Sequence, residues 1–363
     1  MAARPSSVDL FCRVVDNLGD IGVCWRLARQ LVAEAGIPVR LVVDRLDVAQ
    51  TLVPAIDPQL DQQDVEGIRL VRWRDGELLC EADLVIEAFA CELPPGYLLS
   101  MAQRKPVPAW VNLEYLSAEA WVPSHHGLPS PHPRLPLSKH FFFPGFVAGT
   151  GGLLRENSIK PSPTPVTVPK VPRIFAFTYD AGPIDMLTAA IASDGRPASI
   201  CVPAMEPRGD LERWRASQAK TGLNAAPMLE FVPFVPQSSF DELLASHDLL
   251  LVRGEDSLVR ALWSGKPFAW QLYRQEGDAH LPKLEAFLAW YARDMPEQLR
   301  KAWQDFSRAW NGVPGFEIAA EWPRLRNQLD GWGAYASGQA ANLMRQADLM
   351  SNLLSFFGKL ARI

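Results

Sequence analysis

The sequence has little of what marks a secreted or membrane protein. Its five cysteines form no CxxC pair, and their odd number argues against a disulfide framework. It has no signal-like opening segment and no apolar run of about eighteen residues, the length that spans a bilayer. We therefore expect reduced, mostly buried cysteines in a cytoplasmic protein that has no membrane partner.

Positive charge is also scarce. The net charge is −5, whereas broad nucleic-acid binding normally needs a basic face. A nucleic-acid partner is therefore not expected. The first 150 residues carry the whole acidic excess. Such an excess suits a cationic substrate group, and it equally suits an ordinary solvated surface.

Several catalytic motifs are missing. The turn after the first predicted strand, residues 17–22, lacks the GxGxxG fingerprint of dinucleotide-binding proteins. There is no GxSxG nucleophile elbow. Residues 264–266 lack the upstream glycine of a phosphate loop, and the histidines match no zinc-binding spacing. We expect neither a cofactor nor a metal.

What the sequence does contain is an alternation of strand-like and helix-like segments. Its 363 residues, 48% of them hydrophobic, are enough for two domains with separate cores. Runs of β-branched and apolar residues predict strands at 8–15, 39–43, 82–89 and 109–113. A helix is predicted after the first strand, while residues 112–146 look long and irregular. Such alternation is typical of a parallel sheet.

A proline-rich segment separates this half from a second one. Residues 155–172 hold five prolines and little periodicity, as a linker does. Beyond it, strands are predicted at 173–179, 198–202, 229–232 and 248–253, and a single long amphipathic helix at 335–360. We therefore predict an α/β protein with Rossmann-like domains at 1–155 and 173–363 and a linker at 156–172. The last helix could return to the first domain.

Two carboxylates lie in the turn after the first strand. Asp16 and Asp20 flank Gly19. One interpretation is structural: one aspartate caps the helix and the other binds the turn backbone. The alternative is chemical, with one carboxylate acting as a general base. Because ligands of such sheets bind outside the carboxyl ends of the strands, both interpretations stay open.

The segment Arg253-Gly254-Glu255-Asp256-Ser257 follows the clearest strand of the second half. The N–H groups of a helix start, with Arg253 and the Ser257 hydroxyl, suit a phosphate. Glu255 and Asp256 suit the hydroxyl groups of a ribose or sugar. The pattern thus indicates a nucleotide-sugar site, and the plain alternative is a helix cap with surface charges.

Aromatic residues stand near two other strand ends. Phe234, Gln237 and Phe240 precede a helix that is predicted to start near Asp241. They fit a base pocket, in which aromatics stack and Gln237 reads the base edge, or a hydrophobic staple around a Ser238 or Ser239 cap. Phe177 and Tyr179 end another strand, and we expect one of them in the core and the other in the cleft.

Seven segments together resemble one family. They are DNLGDIGVCWRLARQL (16–31), NLEYLSAE (112–119), FPGF (143–146), FTY (177–179), FVPQSSF (234–240), RGEDS (253–257) and WQLYRQEGDAH (270–280). They follow one another along almost the whole chain. In these segments the sequence is similar to the EarP family, bacterial protein-arginine rhamnosyltransferases that act on translation elongation factor P.

The resemblance implies a GT-B glycosyltransferase in which two Rossmann-like domains face a cleft. It implies dTDP-β-L-rhamnose as the donor, an arginine of elongation factor P as the acceptor, and inversion to an α-rhamnosyl arginine. The modified factor would relieve ribosome stalling at consecutive prolines. By position, Asp16 and Asp20 match the essential aspartates of the family. The donor-pocket positions are Phe177, Tyr179, Phe234, Gln237, Phe240, Arg253, Glu255, Asp256 and Ser257.

The chemistry gives these residues roles. Arginine is a poor nucleophile because its charge is delocalised and its proton tightly held. We assign the general base to Asp20, with electrostatic support from Asp16. Arg253 and Ser257 would stabilise the leaving diphosphate without a metal. The alternatives are a nucleotide-sugar epimerase of similar shape and a non-catalytic protein that binds a translation factor.

Overall fold

The computed structural model describes residues 4–16, 18–74, 78–160, 166–204 and 228–361. Two compact units emerge, Met1–Ile159 with Gln346–Ile363, called unit 1, and Lys160–Arg345, called unit 2. Part of the predicted linker, residues 161–165, and Asn17 of the first turn lie outside the described residues. None of the helices described has both the length and the apolar character that a membrane crossing requires.

Unit 1 is built on an eight-stranded sheet in the order β3-β4-β2-β1-β5-β6-β8-β7. The edge strands β3 and β7 are antiparallel to their neighbours and the other six are parallel. The strands are β1 Val8–Cys12, β2 Val39–Val43, β3 Gln62–Val65, β4 Ile68–Arg72, β5 Leu84–Ala88, β6 Ala109–Leu113, β7 Pro129–Pro131 and β8 Ser138–Phe142. The strand order reverses between β1 and β5, so a ligand-binding crevice is expected there, at their carboxyl ends.

The helices of unit 1 include α1 Leu18–Ala35, α2 Leu46–Leu52, α3 Pro95–Gln103 and the short α4 Val122–His125. The apolar side chains of α1 that recur at helical spacing are buried, as the sequence pattern predicts. In the core, Phe11 meets Trp73 and Tyr97 edge-on, with ring centroids 5.2 and 4.6 Å away. Aromatic packing therefore anchors β1, the strand that leads to Asp16 and Asp20.

Unit 2 contains a fully parallel sheet in the order β11-β10-β9-β12-β13. Its strands are β9 Arg173–Ala176, β10 Ser199–Ala204, β11 Met228–Pro233, β12 Leu249–Arg253 and β13 Phe268–Gln271. The order reverses between β9 and β12, which is the switch point of a doubly wound fold. The strand predicted at 173–179 is too long, because β9 ends at Ala176. The Phe177 N–H still bonds the Leu251 carbonyl of β12, but the Tyr179 N–H bonds the Gln271 side chain.

The remaining elements of unit 2 are mostly helical. They are α5 Gly182–Asp194, α6 Phe240–Ala245, α7 Gly254–Ser264, α8 Leu281–Tyr291, α9 Glu297–Trp310, α10 Ile318–Arg326, α11 Leu329–Leu343, and the 3-10 turns Gln237–Ser239 and Glu276–Asp278. Trp303, Trp310, Trp322 and Trp332 of α9 to α11 are fully buried. These tryptophans therefore belong to the core.

The stretch 112–146 is more regular than the sequence predicts. It contains α4 and the strands β7 and β8. Prolines at 129 and 131 hide the strand pattern, yet proline is compatible with an edge strand such as β7. Pairing with the distant β6 makes β8 part of the sheet, and a local sequence pattern does not reveal such pairing.

The predicted single helix at 335–360 is wrong in one respect, because two helices occupy this range. After α11 the chain breaks, and α12 Leu349–Leu360 begins. Asp348 causes the new start: its backbone is extended, and its carboxylate accepts bonds from the Ser351 N–H at 3.1 Å and hydroxyl at 2.6 Å. This is an N-cap. Helix α12 belongs to unit 1, where the Leu349 N–H donates to the Leu153 carbonyl.

Removing this cap gives a first prediction. We expect Asp348→Ala to lower the free energy of unfolding by about 1 kcal/mol, because the N-terminal N–H groups of α12 lose their acceptor. Asp348→Asn is the matched control, since asparagine caps nearly as well. Thermal unfolding of the three proteins measures the difference. Equal losses in both variants would show that the cap is not the cause.

Candidate functional site

The switch point of unit 1 holds the two predicted aspartates. Asp20 lies in the first turn of α1 and is only 2% exposed. Its Oδ2 accepts the backbone N–H groups of Val15 and Asp16, both at 2.8 Å. The structural interpretation therefore holds for Asp20, which ties the turn together. It does not remove the chemical one, because a carboxylate has a second oxygen.

The surroundings of Asp20 favour its protonated form. Burial raises its pKa, and the N–H bonds from Asp16 and Val15 and a hydrogen bond from Tyr115 oppose the rise. The negative charge of Asp44, whose carboxylate accepts the Val14 N–H at 2.9 Å, raises the pKa further. A carboxylate whose pKa is raised is a stronger base at neutral pH than a free aspartate.

Asp16 is half-buried beside Gly19. A Cβ atom at Gly19 would stand 2.6 Å from Oδ2 of Asp16, so glycine is needed to leave room for that carboxylate. The Gly19 N–H also donates to the backbone oxygen of Asp16 at 2.6 Å. The GD dipeptide of the motif thus places both carboxylates within one turn.

The switch point of unit 2 brings the predicted donor residues together. Phe177 follows β9, and its ring centroid lies 6.2 Å from that of Phe234 and 6.1 Å from that of Phe240. Phe234 is half-exposed, whereas Phe177 and Phe240 are buried. The cluster offers an apolar wall at the carboxyl ends of β9 and β11, where a nucleobase could stack.

Gln237 is held in place by charged neighbours. Its Nε2 donates to Oδ2 of Asp256 at 3.2 Å, and Nε of Arg260 donates to the same oxygen at 3.2 Å. Arg260 also pairs with Asp241 at 2.7 Å. The Asp256 carboxylate thus bonds a side chain that the sequence assigns to base recognition, in addition to the ribose role we expected.

The structure does not form one of the two serine caps that the staple interpretation offered. Ser239 makes no side-chain capping bond to α6, because residues 237–239 form a 3-10 turn and the Ser239 backbone is already helical. An N-cap residue normally has an extended backbone.

Arg253 is stacked on two aromatic rings. Its guanidinium carbon lies 4.3 Å from the ring centroid of Phe177 and 4.6 Å from that of Tyr179. Tyr179 is itself fixed by Gln271 at 2.9 Å and by the edge of Tyr273, whose centroid is 5.4 Å away. Stacking restricts the plane of the guanidinium, and guanidinium N–H groups suit an anion such as a phosphate.

The start of α7 differs from a plain helix cap with surface charges. The Glu255 side chain is 15% exposed and pairs with Lys283 of α8 at 2.6 Å, while Asp256 bonds Arg260. Ser257 is buried in the first turn. The positive end of the helix dipole makes this position suitable for a diphosphate.

Sequence reasoning missed some residues of these sites. Gln271 and Tyr273 lie in the WQLYRQEGDAH segment and Tyr115 lies in NLEYLSAE. Both segments carry the family resemblance, so these residues could have been found from the sequence. Lys283 had no local signal, since it meets Glu255 across 28 residues of sequence. Within the described ranges, no three His, Cys, Asp or Glu side chains group as metal ligands would. The expected independence from metals stays a prediction.

Comparison with known proteins identifies the family of the chain. The EarP family, described as elongation factor P (EF-P) rhamnosyltransferases, matches residues 8–358. A protein-arginine rhamnosyltransferase of Pseudomonas putida is 40% identical, with 96% of this chain and 98% of the relative covered. One from Pseudomonas aeruginosa is 39% identical, with coverage of 97% and 99%.

Solved structures give the same picture. A structure reported as the basis for EarP-mediated arginine glycosylation of translation elongation factor EF-P has a TM-score of 0.61 and 27% identity, with 97% of this chain and 99% of that one covered. MurG of Acinetobacter baumannii has a TM-score of 0.51 at 12% identity, with coverage of 98% and 100%, and shares the fold alone. The chain therefore has a GT-B fold, belongs to the EarP family of protein-arginine rhamnosyltransferases and is a glycosyltransferase.

Proposed function

We propose that the protein transfers L-rhamnose from dTDP-β-L-rhamnose to an arginine side chain of elongation factor P, with inversion at the sugar. The observation that carries the proposal is the grouping of Phe177, Phe234, Gln237 and Arg253 at the switch point of unit 2. The name of the family supports the acceptor and the sugar. The proposed place of action is the cytoplasm, where the modified factor would relieve stalling at consecutive prolines.

The donor would bind in unit 2. The thymine base stacks against Phe234, and Gln237, held by Asp256, donates to or accepts from its edge. The diphosphate lies at the start of α7, where Arg253, Ser257 and the first-turn N–H groups neutralise it. Glu255 and Asp256 accept bonds from hydroxyl groups of the ribose and the sugar. This arrangement needs no metal, because the charge that develops on the leaving dTDP meets fixed donors.

Unit 1 would supply the base. In the proposed step a guanidinium nitrogen of the acceptor forms a bond to the anomeric carbon, and the bond from that carbon to the phosphate oxygen breaks. The proton leaves the nitrogen for Asp20, whose pKa burial raises. Asp16 holds the guanidinium electrostatically. Attack from the face opposite the β-linked dTDP gives an α-rhamnosyl arginine.

Donor consumption tests this proposal against its alternatives. We expect the purified protein to release dTDP from dTDP-β-L-rhamnose only when elongation factor P is present, as chromatography of the nucleotides measures. Conversion of the donor without an acceptor would indicate the epimerase. Binding of the factor with no dTDP release at all would indicate the non-catalytic protein.

The turn glycine gives a further prediction. We expect Gly19→Ala to reduce turnover roughly 10- to 100-fold, because the new Cβ displaces the Asp16 carboxylate by about 1 Å. Stability should change little, since that carboxylate is the end of a side chain that can rotate. The matched control is Gly96→Ala in α3, where a Cβ meets nothing within 4 Å. Full turnover in Gly19→Ala would contradict the role of Asp16.

A further inference from the structure

The loop after β5 has an unusual backbone. Phe89, Ala90 and Glu92 have φ angles of 57°, 52° and 57°, in the left-handed region that favours glycine. Such a conformation is unfavourable for a residue with a side chain and persists only where its surroundings fix it. Three in four positions, at the switch point of unit 1, indicate that the position of this loop serves a site.

Hydrogen bonds hold the loop in this conformation. All four of its N–H groups donate to neighbouring strand ends. Their acceptors are the Leu113 carbonyl at 2.7 Å, Oδ1 of Asn112 at 3.0 Å, the Ala88 carbonyl at 3.2 Å and Oε1 of Glu87 at 3.1 Å. The ends of β5 and β6 therefore fix the backbone from which the Phe89 side chain projects.

A second aromatic ring lies against that of Phe89. Tyr115, two residues after β6, stacks on Phe89 with centroids 4.4 Å apart and planes at 16°. Tyr115 is nevertheless 37% exposed. We call this pair the aromatic platform. An exposed, rigid aromatic face is a good binding surface for a flat cation.

The platform is joined to the proposed base. Tyr115 makes a side-chain hydrogen bond to Asp20. The hydroxyl must donate when Asp20 is ionised, since a carboxylate only accepts. Tyr115 therefore connects the surface to a carboxylate that is otherwise buried.

The charges around the platform are mostly negative. Asp16 and Asp20 stand after β1, and the neighbouring half-buried Glu114 is bonded by Asn112. The negative charge of Asp44 also acts on Asp20. The cation Lys139 is already paired with the buried Glu87 at 3.3 Å. A planar cation fits these surroundings better than a neutral sugar or an anion.

We propose that the Phe89–Tyr115 platform binds the guanidinium of the acceptor arginine, and that the Tyr115 hydroxyl positions Asp20 as the base. The inference rests on the proposed function, and it names the place where the acceptor binds. Arginine suits this platform better than lysine, because its flat guanidinium stacks on an aromatic face while the edge of the guanidinium donates to carboxylates.

Two substitutions at Tyr115 separate the two roles. Tyr115→Leu removes the ring, and we expect the KM for the factor to rise roughly 2- to 30-fold, the range of a cation–π contact. Tyr115→Phe keeps the ring and removes the hydroxyl. Its KM should stay within about 2-fold of wild type, while the acid limb of its kcat/KM profile moves to higher pH. The limb moves in this direction because the hydrogen bond from Tyr115 lowers the pKa of Asp20, and its loss raises that pKa.

Phe89→Leu provides a second test of the platform in a different segment and should raise the same KM. The control is Trp121→Leu, which removes another exposed ring of unit 1 whose aromatic neighbours are His125 and Phe143. Its KM should not change.

The outcomes are distinct. Transfer by the wild type with unchanged acceptor KM in folded Tyr115→Leu and Phe89→Leu would overturn the platform alone. A Tyr115→Phe profile identical to wild type would overturn the positioning role. No transfer by the wild type would instead remove the proposed function.

Discussion

Asp20→Asn is expected to lower kcat by roughly 10²- to 10⁴-fold, the usual contribution of a general base. Asparagine retains an oxygen that can accept the N–H groups of Val15 and Asp16, so the turn should persist. The variant loses only the ability to take the proton. Affinity for dTDP should stay near that of wild type, because the predicted donor residues belong to unit 2. Calorimetry and single-turnover rates measure the two quantities separately.

The matched control for this variant is Asp47→Asn. Asp47 is a surface carboxylate of α2, paired with Arg45 and 59% exposed. We expect full turnover from it. If Asp20→Asn lost dTDP affinity and kept most of its turnover, Asp20 would not be the base.

The pH dependence of kcat/KM is an independent test of the role of Asp20. Burial raises the pKa of Asp20, so it takes up a proton at a higher pH than a free aspartate does. We therefore expect kcat/KM to fall on acidification at a pH above the ordinary range for aspartate. An acid limb at or below that range would mean that a different group is the base.

Arg253→Ala is expected to weaken dTDP binding roughly 10- to 100-fold, as follows from losing a charge-assisted bond to a phosphate. It also frees the rings of Phe177 and Tyr179 on which the guanidinium lies. Arg253→Lys should fall between the alanine variant and wild type, because it retains the charge without the flat stacking surface. Calorimetric titration with dTDP measures all three affinities.

Arg196→Ala is a suitable control for Arg253. It removes a cation of the same unit that precedes β10, at the amino edge of the sheet, and that is bonded to Asp194 and Asn327. Its dTDP affinity should equal that of wild type. An equal loss of dTDP affinity in Arg196→Ala and Arg253→Ala would indicate a general charge effect rather than a direct contact between Arg253 and the donor.

The sequence predicts well the position of those site residues that directly follow a strand. A buried apolar run followed by glycine places Arg253 to Ser257 at the start of α7, and the same logic places Asp16 and Asp20 after β1. These positions follow from local pattern and from the rule that ligands bind at carboxyl strand ends. The two-sheet α/β fold is confirmed for the same reason.

Contacts between distant segments could not be predicted in this way. The pairing of Lys283 with Glu255 and the stack of Tyr115 on Phe89 each join two different segments of the chain. No spacing rule relates such residues. The end of β9 was misplaced because Phe177 and Tyr179 look like strand residues, while the fold uses them to stack on Arg253.

The most direct test is to locate the sugar. The purified protein is incubated with elongation factor P and dTDP-β-L-rhamnose, and the factor is fragmented and analysed by mass spectrometry, beside a reaction with Asp20→Asn. We predict one deoxyhexose on one arginine side chain with the wild type and almost none with the variant. A factor of unchanged mass, or a deoxyhexose on another residue type, would contradict the central claim.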